Sequence, residues 1–244
     1  MSGTFLTAEW RKLIMAQYAL DPAALAPWLP RGVELDYFNT GREQRCYVSL
    51  VGFLFDRVRL KGIAVPFHMR FEEINLRFYV VRTEADGARR RGVVFVREYV
   101  PRAAISLTAK WLYDEPYQTV ATKHRIAQSD RSLDVSYEWR YRGQWQKLSV
   151  EANPQAQLMA EGSEEEFLTE HYWGYTKRRD GSTSEYGVEH PRWMVYPVAS
   201  FEVCADFGAM YGDAFAGLTS QRPASVLLAE GSAVTVRAGR YLPA

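Results

Sequence analysis

Cysteine is almost missing from this chain: Cys46 and Cys204 are the only two among 244 residues. Two thiols cannot build a disulfide framework, and both sit among apolar neighbours, so buried, reduced thiols are expected. An excess of charge is missing too. With 30 Lys and Arg against 29 Asp and Glu, the net charge of +1 gives no field to attract nucleic acid or anionic lipid. The basic runs Arg89-Arg90-Arg91 and Lys177-Arg178-Arg179 each adjoin an Asp-Gly pair and read as solvated hairpin tips. No stretch of about 18 apolar residues occurs, so no transmembrane helix is expected. Met1 to Ala8 holds neither a charged segment nor an apolar run of the secretory kind. A soluble cytoplasmic protein without nucleic-acid or membrane partners follows as the expectation.

Catalytic signatures are equally scarce. His68, His124, His171 and His190 show no HExxH spacing, and none stands beside a cysteine pair. That leaves only a metal site assembled from distant positions. There is no GxSxG nucleophile elbow, no GxGxxG and no GxxxxGK[ST], and neither cysteine adjoins a histidine. The common zinc-hydrolase, serine-hydrolase, dehydrogenase and kinase readings fall away. No metal and no organic cofactor is expected.

What the chain has is aromatic residues and strands. Its 7 Trp, 15 Tyr and 12 Phe suit strands whose faces fill or line an interior. Residues 11–20 and 46–55 read as apolar strands, the second buried on both faces. Asp21-Pro22 opens a short helix to Trp28. Strands at 71–83 and 92–99 flank Asp86-Gly87, and Pro101 opens a helix over 102–113. Residues 117–128, 133–141 and 144–150 form a meander, and Ser163-Glu164-Glu165-Glu166 fits a capping box before a helix to Glu170. A hairpin over 172–190 and short strands at 197–207, 224–229 and 233–238 complete one domain, 1–244. Many strands with few short helices predict a mostly β, α+β fold around a strongly curved antiparallel sheet.

The stretch Phe71 to Val80 carries the chemistry. At period two, Ile74, Leu76, Phe78 and Val80 share one face, while Glu73, Asn75, Arg77 and Tyr79 share the other. An acid, an amide, a guanidinium and a phenol in a row form either a solvated outer face or a surface that reads a ligand. Arg11, Lys12 and Lys110 also stand inside apolar segments, where an unpaired buried charge is costly. A pair from Glu73 to Arg11 or Arg77 is therefore expected.

Several segments together resemble the YqjF-like family of the acetoacetate-decarboxylase-like superfamily. They are Trp10-Arg11-Lys12-Leu13, Asp21-Pro22-Ala23-Ala24-Leu25, Leu29-Pro30-Arg31-Gly32-Val33-Glu34-Leu35-Asp36, Glu73 to Val80, Glu115-Pro116-Tyr117, Phe167-Leu168-Thr169-Glu170-His171-Tyr172 and His190-Pro191-Arg192-Trp193. The resemblance implies a closed or cone-shaped antiparallel β-barrel with an enclosed pocket, and a habit of homodimerising. It also implies that Arg11 holds a carboxylate and that Glu73 is a pocket acid and tentative catalytic group. A second pocket acid falls on Ser49. The reactive Lys-Lys pair of the decarboxylases follows a proline; here Tyr117 and Gln118 follow Pro116.

Three readings remain open at this level. The first is a pocket for a small acidic or keto-acid-like molecule, lined by Arg11, Ser49, Glu73, Asn75, Arg77, Tyr117 and Gln118. The second is a Schiff-base or acid/base enzyme of the decarboxylase or lyase type, with Lys110 or Lys12 replacing the lost lysine. The third is a structural module whose interior is packed core.

Overall fold

The computed structural model describes residues 3–64, 69–101 and 116–242. The helix expected over 102–113, with Lys110, and His68 lie outside the described residues. In chain order the main strands are β1 (Thr4–Ala19), β2 (Tyr47–Leu60), β3 (Phe71–Thr83) and β4 (Arg89–Val100). Next come β5 (Tyr117–Thr119), β6 (Ala121–Gln128), β7 (Leu133–Tyr141) and β8 (Gln144–Ala152). Helix α1 (Glu164–Thr169) precedes β9 (Trp173–Lys177) and β10 (Thr183–Glu189), and β11 (Val198–Cys204) and β12 (Ser225–Arg237) follow. The helix expected from Pro22 is a single 3-10 turn, Pro22–Leu25, capped by Asp21.

Hydrogen-bonded neighbours lead round a circuit. The order is β12, β1, β2, β3, β4, β9, β10 and back to β12. Six of these pairings are antiparallel and one, β4 with β9, is parallel. Strict alternation of direction cannot close on an odd number of strands, so one parallel contact is obligatory. The sheet is thus mixed rather than wholly antiparallel, and β5 also runs parallel to β4. Gly92 makes the parallel contact physically accessible: a Cβ there would lie 2.5 Å from the Trp173 carbonyl oxygen. Gly174 instead makes room within the antiparallel β9–β10 pair, where a Cβ would lie 2.1 Å from the Tyr186 ring.

Strands β6, β7, β8 and β11 form a second, four-stranded sheet across the outside of this circuit. Its buried face, including Val135, Tyr137, Trp139 and Leu148, packs on Ile14, Leu50, Leu76 and Phe78. Gly52 lets the two layers approach, since a Cβ there would come within 3.0 Å of the Tyr137 ring. A separate apolar cluster of Leu13, Met15, Val51, Phe53, Tyr186 and Leu227 fills the inside of the circuit. The strands between the two clusters are buried on both faces, which is why residues 46–55 show no alternation. Val120 divides the expected strand over 117–128 between the two sheets.

Several expectations about the surface change. Cys46 is buried, and burial pushes its thiol up to about 11. Cys204 is exposed, because on β11 it alternates with the core-packed Val203. Of the basic tip residues, Arg89 is solvated, whereas Arg90 bonds the buried Glu185 at 2.9 Å and Arg91 bonds Asp36 at 2.6 Å.

Helix α1 stoppers the circuit. The Ser163 hydroxyl accepts from the Glu166 N–H at 3.2 Å, and the Glu166 carboxylate accepts from the Gly162 N–H at 2.5 Å. Its acids occupy the first turn, and Phe167, Leu168 and Thr169 are buried. Ser163→Ala is expected to cost about 1 kcal/mol in chemical denaturation. A loss below about 0.3 kcal/mol would mean that the cap adds nothing to stability.

Candidate functional site

Two β-bulges decide which side chains face inward. On β1 the pairing with β2 shifts between Arg11 and Ile14, with Lys12 at φ 54°. A bulge adds one residue and reverses the facing of everything beyond it. Leu13 and Met15 point inside, yet upstream it is Leu6, Ala8 and Trp10 that join the interior. Arg11 is turned out. On the facing strand Gly231 makes the same reversal at φ 80°, where a Cβ would stand 1.9 Å from the Trp10 carbonyl oxygen. The second bulge lies on β4, between the pairs Leu76↔Arg97 and Arg77↔Phe95. It sends Arg97 outward to the Met210 carbonyl at 2.7 Å and turns Glu98 inward opposite Asn75.

The polar face of β3 therefore meets an interior rather than solvent. Glu73, Asn75, Arg77 and Glu98 line a cavity of about 60 Å³, together with Tyr117, Thr169, His171 and His190. That is room for on the order of five water-sized groups. Its walls are apolar and aromatic, with Trp10, Phe53, Phe55, Phe71, Trp173 and Trp193 among them. The lining thus combines apolar walls with a few convergent polar groups.

Electrostatics inside are set by burial. Glu73 is 3 % exposed, and desolvation raises its carboxyl to about 7 against the opposing Asn75 hydrogen bond, Arg77 charge and Glu98 hydrogen bond. The Asn75 amide donates to Glu73 Oε1 at 3.0 Å. Glu98 lines the same cavity, so two carboxyl groups share one desolvated site. Arg77 is 8 % exposed, and no carboxylate among the described residues lies within ion-pair distance of it. Its Nη2 donates to the Leu168 carbonyl at 3.3 Å, while Nε has no partner among the described residues. Trp10 Nε1, Glu73 Oε2, Asn75 Oδ1 and His171 Nδ1 are buried and unpartnered in the same sense.

His171 arrives directly after α1. Its Nε2 lies 3.1 Å from Asp36 Oδ2, which Arg91 also holds at 2.6 Å. Burial pushes the imidazole down to about 4, outweighing the Asp36 hydrogen bond that raises it. Burial also raises the Asp36 carboxyl, but its bonds from His171 and Arg91 prevail and keep it below its ordinary value. His190 stacks on Trp193 at 4.2 Å and closes one side.

Comparison with known proteins accords with this architecture. The DUF2071 profile, described as an uncharacterized conserved protein, matches residues 7–233. The chain belongs to this family. No protein with a curated description matches it. Among solved structures, acetoacetate decarboxylase from Legionella pneumophila subsp. pneumophila str. Philadelphia 1 is similar, with a TM-score of 0.64 and 13% identity, over 99% of this chain and 88% of that one. An acetoacetate decarboxylase-like enzyme from Sphingomonas wittichii RW1 gives 0.65 and 13%, over 99% and 94%. The enduracididine biosynthesis enzyme MppR, complexed with the condensation product of pyruvate and imidazole 4-carboxaldehyde, gives 0.61 and 14%, over 99% and 90%. At such identities the likeness is one of fold, and the fold of this DUF2071 chain is acetoacetate-decarboxylase-like.

Of the residues expected at the site in this DUF2071 chain, Glu73, Asn75, Arg77 and Tyr117 come together at the cavity. Arg11 does not. Its guanidinium is 35 % exposed and bonds Glu9 at 2.7 Å and Glu230 at 3.5 Å, so neither expected partner of Glu73 forms an ion pair with it. Ser49 lies elsewhere in the interior, where its hydroxyl bonds the Tyr79 hydroxyl at 2.7 Å. Gln118 is turned away from the cavity, since Tyr117 pairs opposite the inward Glu98 and its neighbour must face the other way. Lys12 bonds Glu230 and Tyr196 on the outside. Glu98, Thr169 and His171 are additions. Glu98 had the same signal as Glu73, an acid inside an apolar run, but the bulge hid its facing.

Among the described residues no three His, Cys, Asp or Glu side chains cluster in a way that could hold a metal. No helix among them is long and apolar enough to cross a membrane.

Proposed function

We propose that this protein binds a small carboxylic acid, of keto-acid type or closely related, inside the strand circuit. Arg77 takes the carboxylate, and Glu73 with Glu98 supplies or accepts a proton at the bound molecule. The observation that carries the reading is the set of unpartnered buried atoms on residues that line one cavity, led by a guanidinium with no carboxylate within ion-pair distance among the described residues. A buried lone cation costs stability unless an anion arrives. The cavity size favours a ligand of few atoms, and one fold neighbour is described in complex with a pyruvate-derived product.

The test is a thermal-shift titration with pyruvate and acetoacetate. Wild type and Arg11→Ala are expected to respond alike, and Arg77→Met is expected not to respond. A full response from Arg77→Met would refute the anchor.

A second reading, acid/base catalysis on the bound acid, draws support from Glu73, whose carboxyl titrates near 7. An imine mechanism has less support: no lysine lines the cavity among the described residues, and Tyr117 follows Pro116. Incubation with acetoacetate and borohydride, followed by intact mass, should leave the chain unmodified. A reduced adduct on any lysine would reinstate the imine route.

A further inference from the structure

We infer that His171 reads a hydrogen-bond donor on the ligand, so that the site prefers a small hydroxy acid, or an enol, over the matching keto acid. This rests on the proposed binding of a carboxylate by Arg77 and specifies the rest of that molecule.

The inference starts from the tautomer. Asp36 accepts, since it is ionised and held by Arg91 at 2.6 Å. Its Oδ2 faces His171 Nε2 at 3.1 Å, so the ring proton sits on Nε2. Burial keeps the ring from taking a second proton. Nδ1 is thereby left as a bare acceptor on the side of the ring away from Asp36. It is buried and has no partner among the described residues, on a side chain that lines the cavity and is 1 % exposed. Arg77 is close enough for its charge to act on this ring, and both lie near Tyr79, whose ring is 4.8 Å from the imidazole and 5.8 Å from the Arg77 guanidinium carbon.

An acceptor in that position favours O–H over C=O. A keto oxygen would face the Nδ1 lone pair and leave both groups unsatisfied, whereas a hydroxyl or enol would donate to it. Asp36 and Arg91 act as positioning residues: they fix the tautomer without touching the ligand. A site built around one such bond discriminates strongly against the analogue that lacks it.

Isothermal titration of the full chain with L-lactate, D-lactate, 3-hydroxybutyrate, pyruvate and acetoacetate tests this. One of the hydroxy acids is expected to bind at least about tenfold more tightly than its keto partner. His171→Phe should bring the ratio to about one while Arg77-dependent binding persists. Asp36→Asn, which no longer demands the Nε2 proton, should narrow or invert the preference. Equal affinity of wild type for hydroxy and keto acids, with Arg77→Met still abolishing both, overturns the role of His171 and leaves the carboxylate site standing. Failure of all five probes to bind overturns both. A ligand-free check is the imidazole ¹⁵N–¹H correlation spectrum at neutral pH: protonation at Nδ1 would contradict the assignment.

Discussion

Arg77→Met should abolish binding of small carboxylates and leave the protein as stable as wild type, or more so. The two effects share one cause. Inside the circuit the guanidinium is desolvated, and its oxygen partners are neutral: the Leu168 carbonyl at 3.3 Å and the Tyr79 phenol beside it. Methionine fits the stem's volume and removes a charge that burial disfavours, so stability is expected to be unchanged or higher by up to about 2 kcal/mol. Loss of the anchor should weaken pyruvate or lactate by about 100-fold or more, the scale for truncating one partner of a buried charged pair. Denaturant titration and calorimetric binding measure the two quantities separately. A variant destabilised by more than about 2 kcal/mol would mean that Arg77 is structural. The substitution also removes the positive charge that lowers the Glu73 carboxyl, so that group should titrate still higher.

The second large effect is a pair of opposing pH dependences that the wild type hides. Glu73 rises from 4.5 in the unfolded chain to about 7 in the fold. Between those values the native state binds more protons than the unfolded one. Its contribution is complete below pH 4.5 and is lost as pH rises to 7. His171 falls from 6.5 to about 4, so its contribution is complete above pH 6.5 and is lost as pH falls to 4. Each spans on the order of 3 kcal/mol, and between pH 4.5 and 6.5 they nearly cancel. His190, also lowered by burial, adds to the His171 side. Asp36 and Glu72, held below their ordinary values, titrate beneath this window.

Wild-type stability from pH 4.5 to 6.5 should accordingly rise with pH only by the His190 contribution, the Glu73 and His171 slopes cancelling. Glu73→Gln should lose stability as pH falls, and His171→Phe should lose it as pH rises. Parallel curves for the three proteins would mean that Glu73 is not buried as the acid and His171 is not buried as the neutral ring.

Much of the fold was legible because buried strands carry strong local signals. Strands β3 and β7 follow their expected bounds, and the cap at Ser163 forms as its spacing predicts. The curved, mostly β sheet was legible too. What local pattern could not supply was the parallel β4–β9 contact, in which Gly92 lies opposite Trp173, a residue far away in the chain. The expected strands at 224–229 and 233–238 are one strand, because Gly231 bends it without ending it.

The amino-acid sequence alone determined that β3 carries an acid, an amide and a guanidinium on one face, since alternation along an unbroken strand needs no partner to define it. Only the tertiary structure decided what joins that face. Each bulge shifts the count by one residue, and in a period of two a shift of one is a complete reversal. The bulge at Lys12 thus exchanges Arg11 for Trp10, and the bulge on β4 exchanges Arg97 for Glu98. Such bulges arise from strand twist and pairing across the sheet, a long-range property that no local run of residues records.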